Sequence, residues 1–280
     1  MSGPLPAPPT VATDVGNLLI SGLGKYNDIL ISDGSGRAHW GRIPSLGMDP
    51  ALIAPASMRF LMRADTLTLA DGATIFDWPS SANIPGSLSE AFNANAFPRP
   101  VFRATGGPRG LPCVQSAPGA CQSQTGSGQL LTPAGDLTYY MVINPDAGGA
   151  IQDLMGAGWD QGASLRLEPA LTLTLAQTGV GYHGSSLAAL TAGQWNLIIV
   201  TFNATTNTTT LQVNSTIQTI VAGGAATVFS ETTLAFAAGG TTGDYPFYGK
   251  TVELGGWASV LTANQLLDLQ HFLSYKYGLT

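Results

Sequence analysis

The sequence predicts a mainly β protein: an antiparallel jelly-roll sandwich with one C-terminal helix and an extended N-terminal arm. The first observation behind this is composition. Of 280 residues only 10% are charged and 44% are hydrophobic, while Gly and Pro number 35 and 18. A chain so poor in charge is not disordered as a whole, and its many turn formers suit short strands better than a helical bundle. The second is spacing: strand-like runs recur every 10–20 residues beyond Met58, with Gly, Asn or Pro between them. The third is that one stretch, at the C-terminus, carries a helical period.

In chain order, residues 1–57 read as an arm. Met1–Thr10 is Pro-rich and uncharged, hence extended, because Pro fixes φ and removes donors. The apolar patches Leu18–Ile20 and Ile29–Ile31 are too short to form a core alone, and Asp33-Gly34 between the second patch and Trp40 signals a turn. Such a segment needs another surface, or another copy of itself, to become ordered. Leu18, Leu19, Ile20, Ile29, Leu30, Ile31 and Trp40 are therefore the candidate anchor and oligomerisation residues.

Residues 58–280 read as the sandwich. Leu137–Ile143 and Trp195–Phe202 are the clearest strands, rich in aromatic and β-branched residues. The second is nearly continuous in apolar residues, as a strand covered on both faces would be. Asn203–Asn207 then turns the chain into Thr208–Val213, and Leu171–Leu175, Ile217–Val221, Thr233–Phe236 and Thr251–Trp257 are further strands. The helix begins at Thr262, with Gln265 three residues on completing a capping box. Leu266, Leu269, Leu273 and Tyr277 make its apolar face, and Gly278 is placed to end it.

Charge excludes some functions. The net charge is −6, and residues 111–280 hold three basic side chains against nine acidic ones. That disfavours a nucleic-acid backbone as partner. No apolar run approaches the ~20 residues of a membrane span, so membrane insertion is not expected. The first ten residues lack the basic start and apolar stretch of a secretion signal, and none is expected. Cys113 and Cys121 can close a small loop or stand as two free thiols. The sequons at Asn203, Asn207 and Asn214 read as strand and turn composition.

Four stretches in order carry a resemblance. Leu61-Met62-Arg63-Ala64-Asp65 is followed by Asp71-Gly72 and Phe76-Asp77-Trp78, then by Arg99-Pro100 and Gly110-Leu111-Pro112. Trp195–Asn214 forms a central hairpin, and Phe247–Trp257 leads into Leu261-Thr262 and the closing Tyr275-Lys276-Tyr277-Gly278. In this the chain from about Leu61 to Leu279 resembles the laminin-G-like, concanavalin A-like jelly-roll superfamily in its bacterial and phage form. The resemblance implies glycan binding, protein adhesion or, in one branch, glucan hydrolysis. The hydrolytic branch sets two carboxylates on one strand. Here Glu253 has Thr251 and Gly255 two positions away, so no enzyme is expected. Residues 14–45, through Asn27-Asp28-Ile29-Leu30, Asp33-Gly34 and Trp40-Gly41-Arg42-Ile43, resemble segments of phage tail and head fibre proteins. That implies a homotrimer and attachment to capsid or tail proteins through residues 1–57.

Other motifs carry less. Gly179–Gly184 matches a dinucleotide-binding glycine pattern but runs toward a strand rather than a helix, and reads as a turn. His39, His183 and His271 are scattered, and no cofactor is expected. Asp146, Asp153 and Asp160 sit among Gly-rich loops where calcium could bind. For glycans, the loop aromatics are the useful groups: Trp159 with Asp160 and Gln161, and Tyr182. Trp78, Trp195 and Trp257 fall in strand-like runs and are expected in the core.

The expectation is a non-enzymatic virion surface protein of a bacteriophage, a head fibre, decoration or tail fibre protein, displaying a jelly roll for host-surface glycan. A bacterial carbohydrate-binding adhesion module is the alternative, and a glycoside hydrolase ranks last.

Overall fold

A computed structural model of the chain describes residues 28–32, 38–42, 47–76, 78–81, 99–116, 135–156, 164–177, 181–206, 208–221, 235–236 and 247–279. A short antiparallel hairpin comes first, β1 (Asp28–Ser32) with β2 (Ala38–Arg42), in which Leu30 lies opposite Trp40. Then follow β3 (Met58–Arg63), β4 (Val101–Arg103), β5 (Cys113–Ser116) and β6 (Leu137–Pro145). Next are β7 (Gln152–Gly156), β8 (Ser164–Leu167), β9 (Thr172–Gln177) and β10 (Gly181–Ala189). The chain continues through β11 (Asn196–Asn203), β12 (Thr208–Val213), β13 (Thr216–Val221), β14 (Ala235–Phe236) and β15 (Gly249–Trp257). Helix α1 (Ala263–Tyr277) closes it.

These strands make the expected antiparallel sandwich. The larger sheet has the order β13-β12-β11-β6-β15-β5-β4, with β3 also paired to β15, and the smaller the order β10-β9-β8-β7-β14. Strand β15 is the seam of the larger sheet. One edge pairs with β6 along its length, and the other takes β5 at its start and β3 at its end.

The central strands are covered on both faces, which is why their sequences are almost continuously apolar. On β6, Tyr139, Met141 and Ile143 point between the sheets and meet Leu154 and Met155 of β7 and Leu165, Leu167, Leu173 and Leu175 of β8 and β9. Tyr140 and Val142 point the other way, into a second core with Leu197, Ile199 and Trp257. Leu269, Leu273 and Tyr277 of α1 close over that face. Each such buried side chain contributes roughly 1.5–3 kcal/mol before entropy is counted.

The helix is built as its sequence predicts. Thr262 and Gln265 form the reciprocal capping box, and Gly278 ends the helix at φ 64°. The stretch just before β3 is fastened to it. The Met48 amide donates to the Asp268 carbonyl at 3.1 Å, Ile53 is buried in the helix-side core, and the Trp257 indole donates to the Ile53 carbonyl at 2.6 Å. Gly47 makes this approach possible: at φ 67°, a Cβ there would fall 2.1 Å from the Asp268 carbonyl oxygen.

Candidate functional site

Chemistry-bearing side chains converge at two places among the described residues. The first is Glu253, which is completely buried. A one-residue bulge in β15 puts it there: Thr251 pairs with Ile143 and Glu253 with Val142, leaving Val252 as the extra residue. The neighbour expected two positions away on its face, Thr251, is thereby turned toward the inter-sheet core, and Val252 shares the helix side instead.

Every described partner of Glu253 is a donor. Tyr140 and Tyr277 donate their hydroxyls at 2.6 Å each, and the Lys276 ammonium donates at 2.9 Å. Arg63 at the end of β3 stands 3.4 Å away as an ion pair. Both cations hold a second carboxylate, Lys276 at Asp65 (2.9 Å) and Arg63 at Asp49 (2.5 Å). Burial alone would raise the Glu253 carboxyl. The charges of Lys276 and Arg63 and the two phenol hydrogen bonds together outweigh it and hold the group below its ordinary value. Burial and the adjacent carboxylate push both phenols well above theirs. The group is an anion held by three hydrogen bonds and one ion pair. That arrangement ties three strands to the helix.

The second place is an open cleft of about 330 Å³ at one end of the larger sheet. Its walls are the turn between β10 and β11, with Thr191, Gln194 and Trp195, and the two-residue turn between β12 and β13, with Asn214 and Ser215. Ala189, Asn196, Val213 and Thr216 complete it. The first turn is pinned: Gly193, at φ 75°, donates to the Pro145 carbonyl at 2.9 Å and accepts from the Asn144 amide at 3.0 Å. In the second, Asn214 sits at φ 52°. Its side chain accepts from the Leu197 amide at 2.9 Å and donates to Asn196 at 3.1 Å. Its carbonyl receives Gln212 and Gln270 at 2.8 and 3.3 Å. Trp195 does not lie within a strand, as its sequence context implied. It precedes β11, packs partly on the helix-side core and remains half-exposed on the cleft. Trp78 and Trp257 are fully buried as expected, Trp78 outside any strand.

The other sequence candidates divide simply. Trp159, Asp160 and Gln161 lie outside the described residues, as do Leu18, Leu19 and Ile20. The Tyr182 backbone is on β10 opposite Ala176, and Ile29, Leu30, Ile31 and Trp40 are on β1 and β2; the roles assigned to their side chains lie outside the described residues. Gly181–Gly184 lie within β10 and not in the turn expected of the glycine pattern. Asp153 faces Arg166 across β7 and β8 in a buried ion pair at 2.8 Å, which occupies that carboxylate. Among the described residues no cluster of three or more His, Cys, Asp or Glu is placed to hold a metal. Cys113 is buried, and burial pushes its thiol up to about 11.

Against known proteins, the family model described as the concanavalin A-like lectin/glucanases superfamily matches residues 119–267. No curated protein sequence matches the chain. Among solved structures, domain 4 of AbnA, an extracellular arabinanase from Geobacillus stearothermophilus in complex with arabinotriose, is similar at 14% identity. That match covers 76% of this chain and 98% of that one with a TM-score of 0.54. The CBM40 of a Ruminococcus gnavus sialidase, bound to α2,3-sialyllactose, is 17% identical over 49% of this chain and 82% of that one, with a TM-score of 0.41. A heptameric pentraxin from Limulus polyphemus is 16% identical over 49% and 70%, with a TM-score of 0.39. The AbnA domain shares the sandwich fold over nearly its whole length.

Proposed function

The chain belongs to the concanavalin A-like lectin/glucanases superfamily, and from that premise we propose that it is a non-enzymatic glycan-binding adhesion domain displayed on a bacteriophage virion. The observation that carries the non-enzymatic part is Glu253. A retaining glycosidase needs two carboxylates about 5–5.5 Å apart, one able to give up and take back a proton. Glu253 is buried among four donors, and its strand neighbours on the helix side are Val252 and Gly255. Its charge serves the fold. What remains of the superfamily's chemistry is recognition, which the low-charge, amide- and hydroxyl-rich body suits. Display on a particle is supported by the fibre-like sequence of residues 14–45.

The test is to incubate the purified chain with β-glucan, agar-type polysaccharide and host capsule, and to probe a glycan array in parallel. Retention on glycan without reducing-end release is expected. Release that disappears in Glu253→Gln would overturn the non-enzymatic reading, and an array blank for every glycan would overturn adhesion through sugar.

A further inference from the structure

Resting on the glycan-binding reading, we propose that the β4 edge of the larger sheet, on its helix-side face, is a docking surface for an acidic polysaccharide, one whose uronic or sialic acid units carry carboxylates. The register assembles it. Lys250 on β15 lies opposite Gln115 on β5, Gln115 opposite Val101 on β4, and Val101 opposite Thr74. Residues directly opposite share a face, and so do residues two apart on one strand. Arg99 and Arg103 lie two residues either side of Val101, and Phe76 two beyond Thr74. The alternate residues Ile75, Phe102 and Val114 are buried between the sheets. At about 4.8 Å per strand, the row from Lys250 to Thr74 is about 14 Å long, room for more than one sugar ring.

An aromatic stands open beside this row. Phe76 is 61% exposed, and the Arg99 guanidinium lies 4.2 Å from the centre of its ring. With one face held by Arg99, the ring turns its other face and its edge to solvent. That face suits the weakly positive C–H groups of a sugar.

Positive charge gathers at the same place. The Arg103 Nε donates to the Gln115 side chain at 2.8 Å, which lays the guanidinium along the row and leaves the Gln115 amide group as a further donor. The contact of Arg103 with Asp71 is long, 3.8 Å, and the two side chains are 40% and 60% exposed. So loose a pair is weak and yields to a better-placed carboxylate. Lys250 has no carboxylate within ion-pair reach among the described residues. Arg63, Arg166 and Lys276, by contrast, are each locked to a buried carboxylate. Burial sets the Cys113 thiol high, but Lys250 and Arg103 both act on it in the opposite sense, with Asp71 opposing them. The net charge of −6 does not cancel this patch. At about 0.15 M salt, charges more than about 8 Å apart are largely screened, so a ligand on the row meets Arg103 and Lys250 ahead of distant carboxylates. A guanidinium fork and an ammonium suit acid groups, while Phe76 takes a sugar ring.

The experiment measures binding of the full chain to polygalacturonate, alginate, hyaluronan and colominic acid. Each is compared with its methyl ester, which keeps the sugar and loses the charge, and a single-stranded DNA serves as a polyanion without the sugar acid. The series is repeated with Arg103→Gln/Lys250→Gln and with Phe76→Ser. At least one acidic polysaccharide should bind, at least about tenfold more tightly than its ester, and weaken about tenfold between about 50 and 300 mM salt. The double variant should weaken it about tenfold and Phe76→Ser about fivefold, each with an unchanged melting curve. The surface is overturned if the ester binds equally well, if the DNA binds as tightly, if either variant binds as well as wild type, or if no acidic polysaccharide binds. A glycan array that keeps its signal with both variants removes this surface and leaves the glycan reading intact; a blank array removes both.

Discussion

Glu253 carries its charge into a fully buried position because four donors surround it, and this makes its protonation a stability variable. A carboxyl held below its ordinary value contributes stability that is complete above about pH 4.3, the unfolded value, and is lost as pH falls through the lower folded value. Urea melts at pH 7, 5 and 3 should therefore show a loss below about pH 4 that Glu253→Gln flattens. At pH 7 that variant should lose about 3 kcal/mol, the lower range for breaking a buried ion pair, because Lys276 and Arg63 retain Asp65 and Asp49. Tyr277→Phe, which removes one hydrogen bond to the charged group, should cost about 2 kcal/mol at pH 7. Equal urea midpoints for wild type and Glu253→Gln would refute the anchoring role.

The capping box of α1 extends the same logic to the element that closes over the helix-side core. Thr262 accepts from the Gln265 amide while Gln265 accepts from the Thr262 amide. Thr262→Ala should cost about 1 kcal/mol, read as a lower urea midpoint with unchanged slope, and Thr262→Ser should restore most of it. This helix is legible in the sequence because its signals are local: cap, period and terminal glycine lie within seventeen residues, Thr262–Gly278. Strands β6 and β11 are legible through their apolar runs. Strands β7 and β8 are not, since Gln152, Asp153 and Arg166 look like loop residues until the register pairs Asp153 with Arg166. The bulge at Val252 is equally hidden, as a one-residue insertion changes which side chains share a face without changing composition. Trp195 hides for the opposite reason: it adjoins the apolar run of β11 and reads as core. Gly193 before it and the Asn214-Ser215 turn are the signals that place it at a sheet end instead.

For the molecule as a whole, the question is what residues ahead of the sandwich are for. From Gly47 onward the chain is part of the helix-side core, through Met48, Ile53 and the Asp49–Arg63 pair. Ahead of it, β1 and β2 form a two-stranded hairpin, a unit only marginally stable by itself. Its apolar residues Ile29, Leu30, Ile31 and Trp40, with the Leu18–Ile20 patch, have reason to seek a second surface. We propose that this surface is supplied by symmetry mates and by a phage particle, with a homotrimer as the assembled state. A chain beginning at Gly47 should then keep the melting curve of the full protein, while one beginning at Met58 should melt lower. The second loses Ile53 from the core and the carbonyl that receives the Trp257 indole. In light scattering the full chain should have the mass of a trimer and the Gly47 chain that of a monomer. Mixed with particles stripped of this protein, the full chain should load and the Gly47 chain should not. If the Gly47 chain loads equally well, the sandwich itself is the docking surface and residues 1–46 are no anchor.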